Sequence, residues 1–142
     1  MAVQGPILII EDDEDDQFLL QSLLEELNVP NTLRFFFNGK TALDYLLTTT
    51  EQPFLIFCDI NMPIMNGLEL HGYISENAFL RKKAIPFVFL TTAANKPLID
   101  EAYGQLIQGF YQKPTSMKIF KRQLETILEY WSSCLHPNNY KS

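Results

Sequence analysis

The sequence predicts an α/β protein built on a doubly wound, five-stranded parallel sheet. Five apolar runs of strand length alternate along the chain with five segments whose apolar residues recur every three or four positions. Most of the runs are apolar at successive residues, which is typical of parallel strands covered by helices on both faces. We therefore expect a (βα)5 arrangement in a single domain.

The elements can be assigned in order from these patterns. The predicted strands are residues 7–10, 32–37, 54–58, 87–90 and 109–112. The first predicted helix has an apolar face formed by Phe18, Leu19, Leu20, Leu23, Leu24 and Leu27. The third helix is expected to run from Gly67 to about Phe79. The fourth is expected to start at Pro97 with Leu106 on its apolar stripe, and the fifth to start near Ser116.

Size and composition suit one cytoplasmic domain. The 142 residues are 46% hydrophobic and 20% charged, which is enough apolar content for a buried core. No apolar stretch is long enough to span a bilayer, and no secretory signal is evident. The two cysteines match neither a disulfide framework nor a metal knuckle, which favours a reducing compartment. We expect a short lead at residues 1–5, the domain at 6–131 and a mobile tail at 132–142.

The charge is distributed unevenly along the chain. The net charge is −6, and residues 1–30 hold eight acids and no Lys or Arg. The remaining residues hold nine acids and eleven bases. A basic surface for nucleic acid is therefore not expected, and neither a nucleic acid nor a membrane is predicted as a direct partner.

Polar side chains follow four of the predicted strands at their carboxyl ends. Glu11 and Asp12 follow the first strand, Asp59 the third, Thr91 the fourth and Lys113 the fifth. The carboxyl ends of parallel strands share one end of the sheet, where open α/β folds bind ligands. We expect these side chains to converge there. Taken alone, Asp59 could equally well cap the loop or the next helix, so the interpretation depends on the other segments.

Three clustered carboxylates need positive charge nearby, because their mutual repulsion otherwise raises their pKa values. Lys113 supplies one cation, and a divalent metal is the obvious second. Oxygen ligands alone favour Mg²⁺ over zinc or copper, and Mg²⁺ typically combines one or two carboxylates with phosphate oxygens. An ammonium, a hydroxyl and Mg²⁺ around one carboxylate indicate a phosphoryl-transfer site.

The segments that carry these residues resemble the receiver domain of two-component response regulators. The resemblance is carried by ILIIEDD at residues 7–13, CDINMPIMNG at 58–67, FVFLTT at 87–92 and FYQKP at 110–114. It covers roughly residues 6–131, and the four segments together are highly specific. The resemblance implies a flavodoxin-like receiver fold of the single-domain, stand-alone type.

The resemblance implies a role for each residue of the acidic group. Asp59 would be the phosphoacceptor, a nucleophile of the carboxylate type, and also a metal ligand. Asp12 would bind Mg²⁺ directly, and Glu11 would hold it through water. The backbone carbonyl of Asn61 would be a further ligand.

A conformational switch is implied by residues of the last two strands. Thr91 would hydrogen-bond the phosphoryl group and move toward it, and Phe110 would fill the space that Thr91 leaves. Lys113 would pair with the phosphoacceptor or the phosphoryl group, and the Lys113–Pro114 bond is expected to be cis. Ala93 offers no acid or amide to orient a hydrolytic water.

The function implied by the resemblance is that of a phospho-accepting signalling module in a two-component phosphorelay. It would take a phosphoryl group from a histidine kinase or phosphotransfer protein and switch the binding of a downstream protein. It would be no enzyme beyond self-phosphorylation from a phosphodonor and autodephosphorylation. The sequence leaves homodimerisation open and does not name the downstream partner.

Two alternative functions fit the sequence less well. A haloacid-dehalogenase-like phosphohydrolase also forms an aspartyl phosphate with Mg²⁺, but it needs a second Asp where Asn61 stands. A receiver-like adaptor that never accepts phosphate is disfavoured by the complete set of polar residues at the strand ends.

Other polar features have plainer interpretations. Residues 13–16 predict a solvated helix start rather than a set of metal ligands, with a contact of Asp13 to the outer shell of the metal left open. His71 and His136 are interpreted as ordinary polar positions, and Cys58 as a small buried apolar residue.

Overall fold

The computed structural model describes residues 4–92 and 94–138. Within these ranges it contains one sheet of five strands: β1 (Ile7–Ile10), β2 (Leu33–Phe36), β3 (Leu55–Cys58), β4 (Phe87–Thr91) and β5 (Gly109–Gln112). All neighbouring strands are parallel, in the order β2-β1-β3-β4-β5. The predicted fold class is confirmed, and each predicted strand end lies within one residue of the observed one.

The described ranges contain six helices, one more than expected. They are α1 (Glu14–Glu26), α2 (Gly39–Thr48), α3 (Gly67–Glu76), α4 (Ala78–Lys83), α5 (Lys96–Gly104) and α6 (Met117–Ser133). The helix predicted to continue to about Phe79 is divided at Asn77, whose backbone is extended and whose side chain caps α4 by accepting from the Leu80 amide at 3.0 Å. An Asn side chain competes with helical hydrogen bonds and favours caps, which explains the break.

The sheet separates two layers of core, because successive strand residues point to opposite faces. On one face, Leu8 and Ile10 pack with helices α2 to α5. On the other, Ile7 and Ile9 pack with α1 and α6. Strands β1, β3 and β4 are buried along their whole length, so the polar residues that follow them emerge at the boundary between core and solvent. No helix in these ranges combines the length and apolar character needed to cross a membrane.

Two residues assigned to apolar helix faces lie on the surface instead. Phe18 is 70% exposed, because it precedes the buried Leu20 by two residues and so lies on nearly the opposite side of α1. Leu106 is 85% exposed, because α5 ends at Gly104 and the chain then turns through a positive φ of 60° at Leu106. Both predictions of burial were wrong.

The segment after α6 folds back onto the amino end of the sheet. His136 is only 1% exposed, its Nε2 lies 2.8 Å from the backbone oxygen of Phe54, and its ring packs 5.0 Å from the Phe54 ring. The Asn138 side-chain amide donates to the backbone oxygens of Gln4 and Gln52 at 2.6 and 2.8 Å. These contacts join the last described residues to the first.

Helix α6 extends two residues into the predicted tail, and two residues beyond the helix have defined partners. His136 and Asn138 make specific contacts, which sequence periodicity does not report because the partners are distant in the chain. Residues 1–3 of the predicted lead and residues 139–142 of the predicted tail lie outside the described ranges.

His71 is also buried rather than an ordinary polar position. It lies in α3 at 6% exposure, with Nδ1 3.1 Å from the side-chain oxygen of Gln105 and the ring edge-on to Phe87 at 5.0 Å. Burial lowers the pKa of His71, so it acts as a neutral core residue. Cys58 is buried as predicted.

Candidate functional site

The carboxyl ends of β1 and β3 bring three carboxylates together, as the sequence predicted. Side-chain oxygens of Glu11, Asp12 and Asp59, here called the acid cluster, all lie within 4.8 Å of one another. The two strands are neighbours, and the Asp59 amide donates to the backbone oxygen of Ile10 at 2.9 Å. Glu11 is buried, Asp59 is half-buried and Asp12 is exposed, so the cluster extends from core to solvent.

The loop after β3 fixes the orientation of Asp59. Its Oδ1 accepts a hydrogen bond from the Ile60 amide at 2.8 Å. The loop then returns against the strand, since the Gly67 amide donates to the backbone oxygen of Ile60 at 2.9 Å. A Cβ at Gly67 would collide with the Asp59 backbone oxygen and come within 2.9 Å of the Phe89 ring. Glycine is therefore required for this close approach of backbone to backbone.

Lys113 reaches the acid cluster from the end of β5. Its amide donates to the Thr91 backbone oxygen at 2.8 Å, which holds it beside the end of β4. Its Nζ donates to Glu11 Oε2 at 2.5 Å and to Asp16 Oδ2 at 3.2 Å. The resemblance implied a pair with Asp59 or a phosphoryl group. The ion pairs of Lys113 in the described ranges are instead with Glu11 and Asp16.

Sequence reasoning missed Asp16. Its segment was interpreted as a solvated helix start, and Asp13 does cap α1 by accepting from the Asp16 amide at 3.0 Å. The side chain of Asp16 nevertheless contacts a lysine 97 positions away in sequence. Adjacent acids in a first helical turn carry no local signal for such a contact, because all of them suit the helix dipole equally well.

The two residues of the implied switch lie on neighbouring strands. Thr91 ends β4 and is fully buried. Phe110 of β5 pairs with Phe89 of β4, is half-buried, and its ring centroid lies 6.1 Å from that of Phe89. Asn61 lies exposed in the loop that follows Asp59.

The peptide bond after Lys113 differs from the expectation drawn from the resemblance. The Lys113–Pro114 bond is trans, and no cis peptide occurs in the described ranges, so the expected cis bond was wrong. The intrinsic preference at an X–Pro bond is only about 0.5–1 kcal/mol, so local structure decides it. Ala93 lies outside the described ranges.

The order of these segments on this fold decides the family. The sequence matches the family model described as response regulator receiver domain over residues 7–125. The chain belongs to the response regulator receiver family. As a receiver domain, it is a phospho-accepting signalling module.

Similar proteins support the same assignment. The receiver is 32% identical over 129 residues to the probable methanogenesis regulatory protein FilR2 of Methanothrix harundinacea, covering 88% of this chain and 82% of FilR2. Its fold matches the crystal structure of the phosphorylated cyanobacterial phytochrome response regulator RcpA with a TM-score of 0.82 and 27% identity, covering 92% and 95% of the two chains. It also matches the Mn²⁺-bound form of response regulator Rcp1 with a TM-score of 0.79 and 26% identity, covering 92% and 96%.

The electrostatics of the receiver site are dominated by buried negative charge. Burial raises the pKa of Glu11 to about 7; Lys113 opposes this shift and the charge of Asp59 adds to it. Burial also raises the pKa of Asp59, against the opposing effects of Lys113 and the Ile60 amide. Burial alone would lower the pKa of Lys113, but the hydrogen bond and charge of Glu11 raise it overall. One ammonium thus faces several carboxylates, and the excess charge is negative.

This donor set fits a divalent cation. The acid cluster offers only oxygen ligands, which Mg²⁺ and Mn²⁺ accept and softer metals do not favour. The raised pKa values of Glu11 and Asp59 reflect a cost of burial that a cation beside them would relieve. Mg²⁺ is therefore a suitable cofactor for this receiver.

Proposed function

We propose that Asp59 is the phosphoacceptor of this receiver and that a histidine kinase or a phosphotransfer protein supplies the phosphoryl group. One observation supports the proposal above all. Asp59 is the half-buried member of an acid cluster whose oxygens lie within 4.8 Å of one another, and a lysine ammonium is bound to the same cluster. Few arrangements other than phosphoryl transfer require a carboxylate, a metal-binding pair and an ammonium at one point.

Each residue of the site would have a separate role in phosphoryl transfer. Asp59 attacks phosphorus and forms a bond from a carboxylate oxygen, while the donor's leaving group departs with the electrons of the broken bond. The Ile60 amide holds the carboxylate in one orientation. Mg²⁺, held by Asp12, Asp59 and the Asn61 carbonyl with Glu11 behind them, would neutralise charge on the phosphoryl oxygens.

The remaining polar groups would stabilise and report the phosphorylated form. Lys113 would pair with a phosphoryl oxygen and Thr91 would hydrogen-bond another. Movement of Thr91 would let Phe110 turn inward, which changes the surface of β5 and its neighbouring helices. That surface would then bind a downstream protein with altered affinity, a population shift driven by a local charge. A homodimer is one form such an output could take.

The setting we propose is the cytoplasm, where the donor kinase domains and ATP are found. A net charge of −6 disfavours direct binding to nucleic acid or to an anionic membrane surface, so the partners are proteins. The module would also catalyse its own phosphorylation from a small donor and its own dephosphorylation, without acting on other substrates.

The decisive experiment is intact-mass measurement after incubation with acetyl phosphate and Mg²⁺. The wild-type chain should gain one phosphoryl group, and Asp59→Asn should gain none. Asp15→Asn is the matched control, because Asp15 is an exposed acid of α1 outside the acid cluster, and it should be phosphorylated like the wild type. Absence of a gain in the wild type, or an equal gain in Asp59→Asn, would refute the proposal and favour the adaptor function. Removing the donor and following the mass over time then measures autodephosphorylation.

A further inference from the structure

Lys113 is shared between the acid cluster and helix α1. Its side chain is 6% exposed and donates both to Glu11, which is 2% exposed, and to Asp16, which is 37% exposed. Asp16 is not a member of the acid cluster. Among the described residues, its ion pair with the site is the one to Lys113, made from the first turn of α1. In the described ranges, the Lys113 ammonium thus donates to Glu11 and, through Asp16, to α1.

We propose that Asp16 is a positioning residue that retains Lys113 on the α1 side of the site and so opposes phosphorylation. This inference rests on the proposed phosphoacceptor role of Asp59. A phosphoryl group on Asp59 needs the ammonium as a counter-charge, and Asp16 competes for the same ammonium. Its own negative charge also disfavours the added negative charge of the phosphoryl group.

Both effects of Asp16 act in the same direction. Replacing it with a neutral residue frees a donor of Lys113 and removes one repelling charge. Glu11 still holds the ammonium inside the site, because its pair with Lys113 is the shorter and more deeply buried of the two. Neutralisation of Asp16 is therefore expected to strengthen phosphoryl binding while Lys113 stays in the site.

The contact also connects the site to an external surface. When a phosphoryl group draws Lys113 inward, Asp16 loses its partner and the first turn of α1 gains an unpaired carboxylate. Coupling between two binding events is reciprocal, so a partner whose basic side chain engages Asp16 would raise the affinity of the site for a phosphoryl group. The acidic start of α1 would then sense phosphorylation independently of the implied Thr91–Phe110 switch.

The test uses beryllofluoride, a stable mimic of the phosphoryl group, titrated calorimetrically into the full chain at saturating Mg²⁺. Asp16→Asn should bind it about two- to five-fold more tightly than the wild type, the change expected for an ion pair with a partly exposed carboxylate. Asp15→Asn removes an equal charge from the same helical turn and should have a smaller effect. Asp16→Glu keeps the charge and should restore wild-type affinity.

Repeating the measurements in the Lys113→Met variant distinguishes a positioning role of Asp16 from the general effect of its negative charge. In Lys113→Met, the Asp16→Asn change should give no more tightening than Asp15→Asn gives, because the residue through which Asp16 acts is absent. The Mg²⁺ affinity, measured without beryllofluoride, should change equally in Asp16→Asn and Asp15→Asn. Unchanged or weaker binding in Asp16→Asn, or a full effect that persists in Lys113→Met, would overturn the inference.

Failure of this inference can be told apart from failure of the proposed function. If the wild type binds beryllofluoride and Asp59→Asn does not, the site is established and only the role of Asp16 is at stake. If the wild type and Asp59→Asn give the same result, the phosphoacceptor assignment fails, and the role of Asp16 fails with it.

Discussion

Buried polar groups at the two ends of the sheet differ in charge and in hydrogen bonding. At the carboxyl end, burial raises the pKa of both Glu11 and Asp59, and one lysine ammonium cannot balance the carboxylates around it. At the amino end, His136 is neutral and satisfied: its Nδ1 accepts from the Asn138 amide at 3.0 Å, so its Nε2 carries the proton donated to Phe54. The same strands thus end in an electrostatically strained site at one end and, at the other, in a neutral joint where the His136 ring is hydrogen-bonded on both sides, although Asn138 Oδ1 is buried there without a partner in the described ranges. The larger electrostatic cost lies at the end of the sheet where a ligand is expected to bind.

The largest effect is expected from Gly67→Ala at the carboxyl end. The added methyl group would collide with the Asp59 backbone oxygen, so we expect a loss of about 3 kcal/mol of unfolding free energy together with impaired phosphorylation. Urea unfolding and mass measurement check both effects. Gly72→Ala is the control, because no atom lies within 4 Å of a Cβ there, and it should stabilise α3 by about 0.5–1 kcal/mol. Equal stability of the two variants would contradict the close approach at Gly67.

At the amino end, His136→Phe should lower the unfolding free energy by about 2 kcal/mol. The ring is kept, but the Phe54 carbonyl and the Asn138 amide lose their partner in a buried place. Leu135→Ala, at an 86% exposed neighbour, should change stability by less than about 0.5 kcal/mol. A His136→Phe variant as stable as the wild type would mean that the joint contributes nothing.

Asp59→Asn should change the unfolding free energy in the opposite direction and stabilise the fold. In metal-free buffer at neutral pH it should raise the unfolding free energy by about 1 kcal/mol, because it removes a desolvated charge from a cluster of like charges. Addition of Mg²⁺ should stabilise the wild type more than the variant and reduce this difference. A loss of stability in metal-free Asp59→Asn would show that the cluster is not strained.

The smallest effect expected is a pH dependence at the amino end. Burial lowers the pKa of His136 from its ordinary value of 6.5, so below that pH the unfolded chain binds a proton that the folded chain resists. The contribution of His136 is therefore complete above pH 6.5 and is lost as the pH falls through the lowered pKa. The difference in unfolding free energy between the wild type and His136→Phe should therefore become smaller as the pH falls from 8 to 5. Parallel profiles would argue against a neutral, buried imidazole.

Local patterns were sufficient to predict the strands and the place of the site. Runs such as residues 54–58 report burial on both faces, and polar residues directly after them must lie where the strands end. The individual roles of Glu11, Asp12 and Asp59 came from the resemblance to receiver domains, since spacing alone left Asp59 open to a plain capping role.

What sequence could not supply were contacts between distant parts of the chain. Asp16 and Lys113 meet across 97 positions, and His136 meets Phe54 across 82. Neither contact produces a periodic pattern in the sequence, because each depends on how two elements distant in the chain pack together. The break at Asn77 is different in kind: it is a local capping signal, but the apolar spacing on either side of it favoured a continuous helix.

The hydrogen bond between Asn138 and Gln4 has a practical consequence for engineering this fold. Its donor and acceptor atoms lie 2.6 Å apart, so a linker of a few residues could join position 138 to position 4. New chain ends could then be opened at the exposed turn around Leu106. Such a circular permutant would keep every strand neighbour in place and would carry any reporter fused at the junction on the side of the molecule remote from the carboxylates.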